Sequence, residues 1–194
     1  TADVADAAQV DAAASRVEAE LGPIDVWINN AMTTIVAPVQ EITAAEYQRV
    51  TDVCYHGFVW GTQAALRVMR PRRRGTIIQV GSALAVRSIP LQSAYCGAKH
   101  AIQGFTDSLR SELLHDKIPI EVCMVQLPAV NTPQFDWCLN RMEKALEPVP
   151  PIFQPEIIAA ALYEVSRHPR REVYLGWPTI KAIIGNKLVP GLAD

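Results

Sequence analysis

The stretch "GTIIQVGSALAVRSIPLQSAYCGAKHAIQGF", residues 75–105, decides how this chain folds. It opens as a short apolar, β-branched run that ends in Gly81-Ser82, the form of a strand buried on both faces of a parallel sheet. From Ser93 the spacing turns helical and continues to about residue 116. The intervening "ALAVRSIPLQSA" is long enough to bring the chain back across the end of that strand. Strand, return loop and helix then form one crossover unit.

Working outward, the same alternation repeats. Residues 7–21 have helical spacing and stop at Gly22-Pro23, and "IDVWINNA" (24–31) reads as another buried strand. Thr43 followed by Glu46 is a capping-box pattern that opens a helix running to Pro71. "IPIEVCMVQLP" (118–128) reads as a third strand, and residues 134–146 as a further helix. The proline-rich "EPVPPIFQP" (147–155) is a rigid connector, followed by a helix to about Arg167 and a last strand at "EVYLG" (172–176). Alternation of this kind predicts one α/β domain over 1–194, a doubly wound parallel sheet in three α/β/α layers. Ligands of such sheets bind at the carboxyl ends of the strands. Asn29, Asn30, Ser82 and "LPAVNTP" (127–133) occupy those ends.

Composition narrows the function classes. About half of the 194 residues are hydrophobic, a fifth are charged, and the formal net charge is −2. That balance offers no electrostatic attraction to nucleic acid or to an anionic membrane. The basic run "RPRRR" (70–74) reads as a solvated helix end. Cys54, Cys96, Cys123 and Cys138 are widely spread and form no C-x-x-C, which suits a reducing cytoplasm. No apolar run is long enough to span a bilayer. His56, His100, His115 and His168 show no ligand spacing, so no metal is expected.

Tyr95 and Lys99 stand four apart and share one face at the start of the 93–116 helix. An ammonium held beside a phenol favours the phenolate and turns a poor proton carrier into a tuned acid/base. Lowering a tyrosine pKa from about 10 to about 7 takes about 4 kcal/mol. Ser82, thirteen residues before Tyr95 at a strand end, supplies a hydroxyl on the same edge. The structural alternatives are a core tyrosine with a snorkelling lysine, a turn serine, and an Asn29 that only braces neighbouring strands.

With these residues on the page, the sequence resembles the short-chain dehydrogenase/reductase family. The likeness runs over nearly the whole chain: "DV" (3–4), "NNAM" (29–32), "GS" (81–82), "YCGAK" (95–99) and "PAVNTP" (128–133), in the family's order and spacing. The resemblance implies a Rossmann-type fold and an NAD- or NADP-dependent oxidoreductase interconverting an alcohol and a carbonyl. It implies that Ser82 holds the substrate oxygen, that Tyr95 is the general acid/base, and that Lys99 lowers the tyrosine pKa and binds the nicotinamide ribose. Asp3, Val4 and Asn30 would line the adenosine side, and Val130 and Thr132 would meet the nicotinamide carboxamide. The segment 134–155 would be a substrate lid, its Phe135, Trp137, Leu139, Met142 and Leu146 favouring a small apolar alcohol or ketone. A homodimer or homotetramer is implied through the 43–70 and 93–116 helices, with Phe58, Trp60, Ala65, Ile102, Phe105 and Leu109 as contact residues.

Three departures from the family are visible. The sequence contains no G-x-x-x-G-x-G turn, so the strand–turn–helix units that cradle the cofactor pyrophosphate are missing from it and are expected ahead of Thr1. Cys54 stands where the family often has an asparagine, 28 residues before the serine, and a thiol is a weaker hydrogen-bond partner. "NNAM" and "PAVNTP" replace "NNAG" and "PG" patterns. Two rival functions follow: an epimerase or dehydratase using the same tyrosine and lysine, and a non-catalytic binding or scaffold protein built on a decayed or truncated enzyme.

Overall fold

The computed structural model describes residues 1–188. Helix α1 (Ala7–Glu20) is capped by Asp6, whose carboxylate accepts the N–H groups of Ala8 and Gln9, and it ends before Gly22, where φ is +101°. Strand β1 (Val26–Asn29) and the short β2 (Ile35–Val36) follow. The Thr43–Glu46 capping box then opens α2 (Ala44–Thr51), and α3 (Gly57–Met69) completes the expected long helix. One π turn, Asp52–His56, interrupts it. Next come β3 (Thr76–Val80), α4 (Ser93–His115), β4 (Glu121–Gln126), a single turn α5 (Gln134–Trp137) and β5 (Leu139–Asn140). Helix α6 (Pro155–Arg167), β6 (Glu172–Tyr174) and α7 (Trp177–Leu188) close the described chain.

The main sheet has the order β1-β3-β4-β6 and every pairing is parallel. All five residues of β3 are buried, Thr76 and Gln79 included, as in a strand covered on both faces. Alternation along it separates two cores. Ile77 packs with Val10 and Ala14 of α1, Ala64 and Met69 of α3, and Leu109 of α4. Ile78 faces the other way, with Cys123, Val125 and Val165 of α6. The fold is therefore the expected Rossmann-like α/β/α arrangement.

Polar side chains brace its interior. The Asn29 amide donates to the Phe58 carbonyl (3.3 Å), to Thr62 Oγ1 (3.0 Å) and to Gln79 Oε1 (2.9 Å), while its oxygen accepts the Trp27 indole N–H at 2.8 Å. The structural role of Asn29 is thus realised, although through side chains and a helix carbonyl rather than strand backbone. The basic run at 70–74 is the expected solvated helix end, exposed at Arg70, Arg73 and Arg74, and its charges are paired. Arg70 pairs with Asp116, Arg72 with Glu18 and the Ile24 carbonyl, Arg73 with the Lys117 carbonyl, and Arg74 with Asp25. These arginines tie the amino ends of the strands to α1 and α4.

Other expectations are corrected. The 134–146 helix is one turn only, because Ile35 and Val36 pair with Leu139 and Asn140 in a second, two-stranded sheet. Of the side chains assigned to a subunit contact, Phe58, Ala65, Ile102 and Leu109 are buried within the chain itself. Trp60 and Phe105 stay partly exposed, Trp60 stacked on His56 and Phe105 edge-on to Tyr55. Helix α7 has no counterpart among the elements expected from the sequence. The four cysteines are free thiols.

Gly61 exposes the cost of disturbing the Asn29 network. A Cβ there would lie 2.1 Å from Asn29 Oδ1 and 2.9 Å from Trp27 Nε1. Gly61→Ala should lower unfolding free energy by roughly 3 kcal/mol, the combined effect of overpacking and broken buried hydrogen bonds. Urea titration checks this, and an unchanged midpoint would contradict it.

Candidate active site

The site forms where β3 ends. Gly81 and Ala83 still donate to β4, to the Val125 carbonyl at 2.8 Å and the Leu127 carbonyl at 3.0 Å. The chain then turns through a single 3-10 turn (Ala83–Ala85), with Ser82 Oγ accepting the Leu84 N–H at 3.2 Å. Helix α7 steadies this return, since the Asn186 amide donates to the Val86 carbonyl at 2.9 Å. Gln92 precedes α4, and Tyr95 falls in its first turn, partly buried against Ile35, Val53, Cys54 and Ala98. Its hydroxyl is hydrogen-bonded to that of Ser82. One turn later Lys99 is buried, its Nζ donating to the Val80 carbonyl at 2.8 Å and lying 5.6 Å from the Tyr95 ring centre. Ser82, Tyr95 and Lys99 are thus brought together.

The electrostatics differ from the simple expectation. Burial pushes the Tyr95 phenol above its ordinary pKa, the nearby Cys54 sulfur adds to the rise, and the Ser82 hydrogen bond opposes it. Burial presses the Lys99 ammonium down to about 8, against an opposing pull from Cys54, and its proton is directed at a backbone carbonyl. In the protein alone Tyr95 is a neutral phenol across the physiological range.

Cys54 has a definite role in this geometry. It lies in the π turn, fully buried, with its thiol donating to the Thr33 carbonyl (3.0 Å) and its sulfur accepting the Thr33 N–H (3.3 Å). Both backbone groups of the segment after β1 are satisfied by one side chain. Burial raises the Cys54 thiol pKa while Lys99 pulls the other way, so the group stays a protonated linker. π turns recur at functional positions because the extra residue redirects the helix face.

The expected cofactor side is divided. Val4, Asn30, Ala31, Gly57 and Phe58 border a mainly apolar cleft of about 140 Å³ beside β1. Gly57 is needed there, because a Cβ would stand 2.9 Å from a Val4 methyl. Asp3 lies beside the cleft with its carboxylate bonded to Arg49 at 2.8 Å and to the Ala5 N–H. Val130 and Thr132 lie on the loop after β4, where Val130 forms a bridge with Phe153. The glycine turn for the pyrophosphate is not in this sequence.

Sequence reasoning missed three side chains at this edge. Gln79 and Gln126 are fully buried, and Tyr47 shares a short hydroxyl–hydroxyl hydrogen bond with Ser93 at the start of α4. The two glutamines had a signal: each is the lone amide in an otherwise apolar strand. Arg141, on the 134–155 segment, is engaged with Glu46 at 2.6 Å.

Lys99 makes the electrostatics testable. Below pH 8 it is charged in both folded and unfolded chains and the cost of burying it is complete. Between pH 8 and its ordinary value of 10.5, the unfolded chain holds more protons, so stability gains with rising pH. Wild-type stability relative to Lys99→Met should therefore rise by up to roughly 3 kcal/mol across that window. Urea unfolding at stepped pH measures it, and a constant difference would refute the shift.

Comparison with known proteins agrees with the fold. The family model described as "short chain dehydrogenase" matches residues 1–140. An uncharacterized oxidoreductase, YxnA, of Bacillus subtilis is 30% identical over 197 residues, covering 100% of this chain and 55% of that protein. Levodione reductase of Leifsonia aquatica is 32% identical over 143 residues, 73% of this chain and 53% of the relative. The crystal structure of a short-chain dehydrogenase from Streptomyces avermitilis superposes with a TM-score of 0.80 at 26% identity, covering 96% of this chain and 74% of that one. The chain thus spans about half the length of the first two relatives. Among the described residues no helix is long and apolar enough to cross a membrane. With the motifs, the parallel sheet and the family match in agreement, this chain belongs to the short-chain dehydrogenase family.

Proposed function

We propose that this chain carries the catalytic part of an NAD(P)-dependent oxidoreductase that interconverts an alcohol and a carbonyl, with Tyr95 as general acid/base. The observation that carries the reading is the hydrogen-bonded Ser82–Tyr95 pair above the buried Lys99 at the carboxyl edge of the sheet. The nicotinamide supplies or takes the hydride when bound. Ser82 holds the substrate oxygen, and the neutral Tyr95 phenol has a proton to give to it. In the oxidative direction the phenol must first lose that proton, helped by positive charge beside it. Lys99 fixes the ribose, Asp3, Val4 and Asn30 line the adenosine end, and Val130 and Thr132 face the carboxamide. The unpaired thiols suit a reducing compartment such as the cytoplasm.

The substrate class follows from the segment 134–155, which we assign as a cover over the site. Trp137, Leu139 and Met142 are exposed apolar side chains there, and the Arg141 charge is already matched by Glu46. An uncharged, apolar alcohol or ketone is the reading this surface supports. In cofactor-linked assays of the full-length protein, matched apolar substrates should be turned over faster than anionic ones. Tyr95→Phe should lower that rate at least about a thousandfold with cofactor affinity nearly unchanged. Retention of more than a few per cent of the rate would remove Tyr95 from the role.

The chain assembles as a homodimer or homotetramer in the same proposal, with the partly exposed Trp60 and Phe105 on the pairing helices. Light scattering of the full-length protein at micromolar concentration should give at least twice the chain mass. A strictly monomeric mass would refute it.

A further inference from the structure

We infer that Gln126 is a positioning residue for Ser82, an assignment whose catalytic consequence rests on the reading above. Gly81 and Ala83 donate to β4, so by the alternation of a parallel strand the Ser82 N–H points to the other side. There β1 has ended, its last paired residue being Asn29 opposite Gln79. Even a partly buried N–H without a partner is costly, and the strand cannot supply one. Gln126 does. Its Oε1 accepts the Ser82 N–H at 2.8 Å, and Gln126 is 0% exposed.

The carboxamide orientation is determined on both sides. Ser82 N–H can only donate, so the oxygen faces it, and Nε2 then faces two acceptors. These are Gln103 Oε1 at 2.9 Å on α4 and Glu172 Oε1 at 3.4 Å on β6. Gln103 continues to Asp107, which is held by Arg110 and Arg171. The amide therefore cannot rotate without breaking three contacts. Gly81 completes the device, because its absent Cβ is where the carboxamide crosses: a methyl there would stand 2.3 Å from Oε1. Gly81 and Gln126 thus form one unit, which fixes the backbone of Ser82 and through it the hydroxyl bonded to Tyr95.

Two variants of the full-length protein test this. Gln126→Leu removes the acceptor at similar size, and Gly81→Ala displaces it. In each, hydrogen exchange followed by NMR should show the Ser82 amide exchanging at least about tenfold faster. The amides at position 81 and at Ala83, which bond to β4, should be unchanged. Each variant should lower kcat about tenfold with cofactor KM unaltered, the effect of one lost hydrogen bond on a reacting group. In a Ser82→Ala background Gln126→Leu should change kcat less than about twofold, since the group it positions is gone. Equal acceleration of all three amides, or an undiminished kcat loss in that background, would show a merely structural role and overturn the inference. So would an unchanged Ser82 exchange rate. If wild type turns over no alcohol or carbonyl, the oxidoreductase reading falls while the exchange measurement still decides whether Gln126 holds Ser82. If neither variant folds, the wild-type amides decide: rapid exchange at Ser82 beside protected Gly81 and Ala83 overturns the inference.

Discussion

The bond from the Lys99 ammonium to the Val80 carbonyl ties helix to sheet at the one place where the central strand runs out of partners. A buried strand ends with backbone groups that no neighbouring strand can satisfy, and in the interior they must be met by side chains. At this edge Lys99 meets a carbonyl, Gln126 an N–H, and Ser82 caps its own turn. The same residues that close the strand also assemble the acid/base group. Structure and chemistry share their requirements here, which is why substitutions at this edge would be felt by both.

Short-range patterns made much of this readable in the residues. "TIIQV" and "CMVQL" could only be buried strands, and Ser82, Tyr95 and Lys99 follow from a strand end and a helical period of four. What stayed hidden was decided at long range. Residues 134–146 have spacing that fits a helix, yet Ile35 and Val36 offer a strand, and pairing with Leu139 and Asn140 wins. The arginines at 70–74 are solvated as their composition suggests, but their partners Glu18, Asp25 and Asp116 are brought beside them only by the crossovers. Helix α7 shows a weak amphipathic pattern, and its docking on the Val86 carbonyl joins residues a hundred apart. The direction of the Tyr95 shift was also out of reach, because burial sets it.

Cys54 shows how a departure in sequence can be absorbed by geometry. An amide has two donors and an acceptor to distribute, whereas a thiol has one weak donor and a soft acceptor. Here the π turn brings the sulfur against a single residue, Thr33, so that its limited capacity is used completely. The helix interruption and the cysteine belong together. A regular α-turn would carry the side chain to a different angle around the axis.

Glu46 carries a mechanical consequence. One carboxylate oxygen accepts the Thr43 N–H that begins α2, and the other pairs with Arg141 beyond β5, so that its pKa is held down at about 2. Displacing the 139–142 stretch from the body would break the Arg141 pair and leave the Thr43 cap to hold that carboxylate alone. The π turn bearing Cys54 follows at the far end of the same helix. One carboxylate thereby joins two regions far apart in sequence, the first turn of α2 and the stretch after β5.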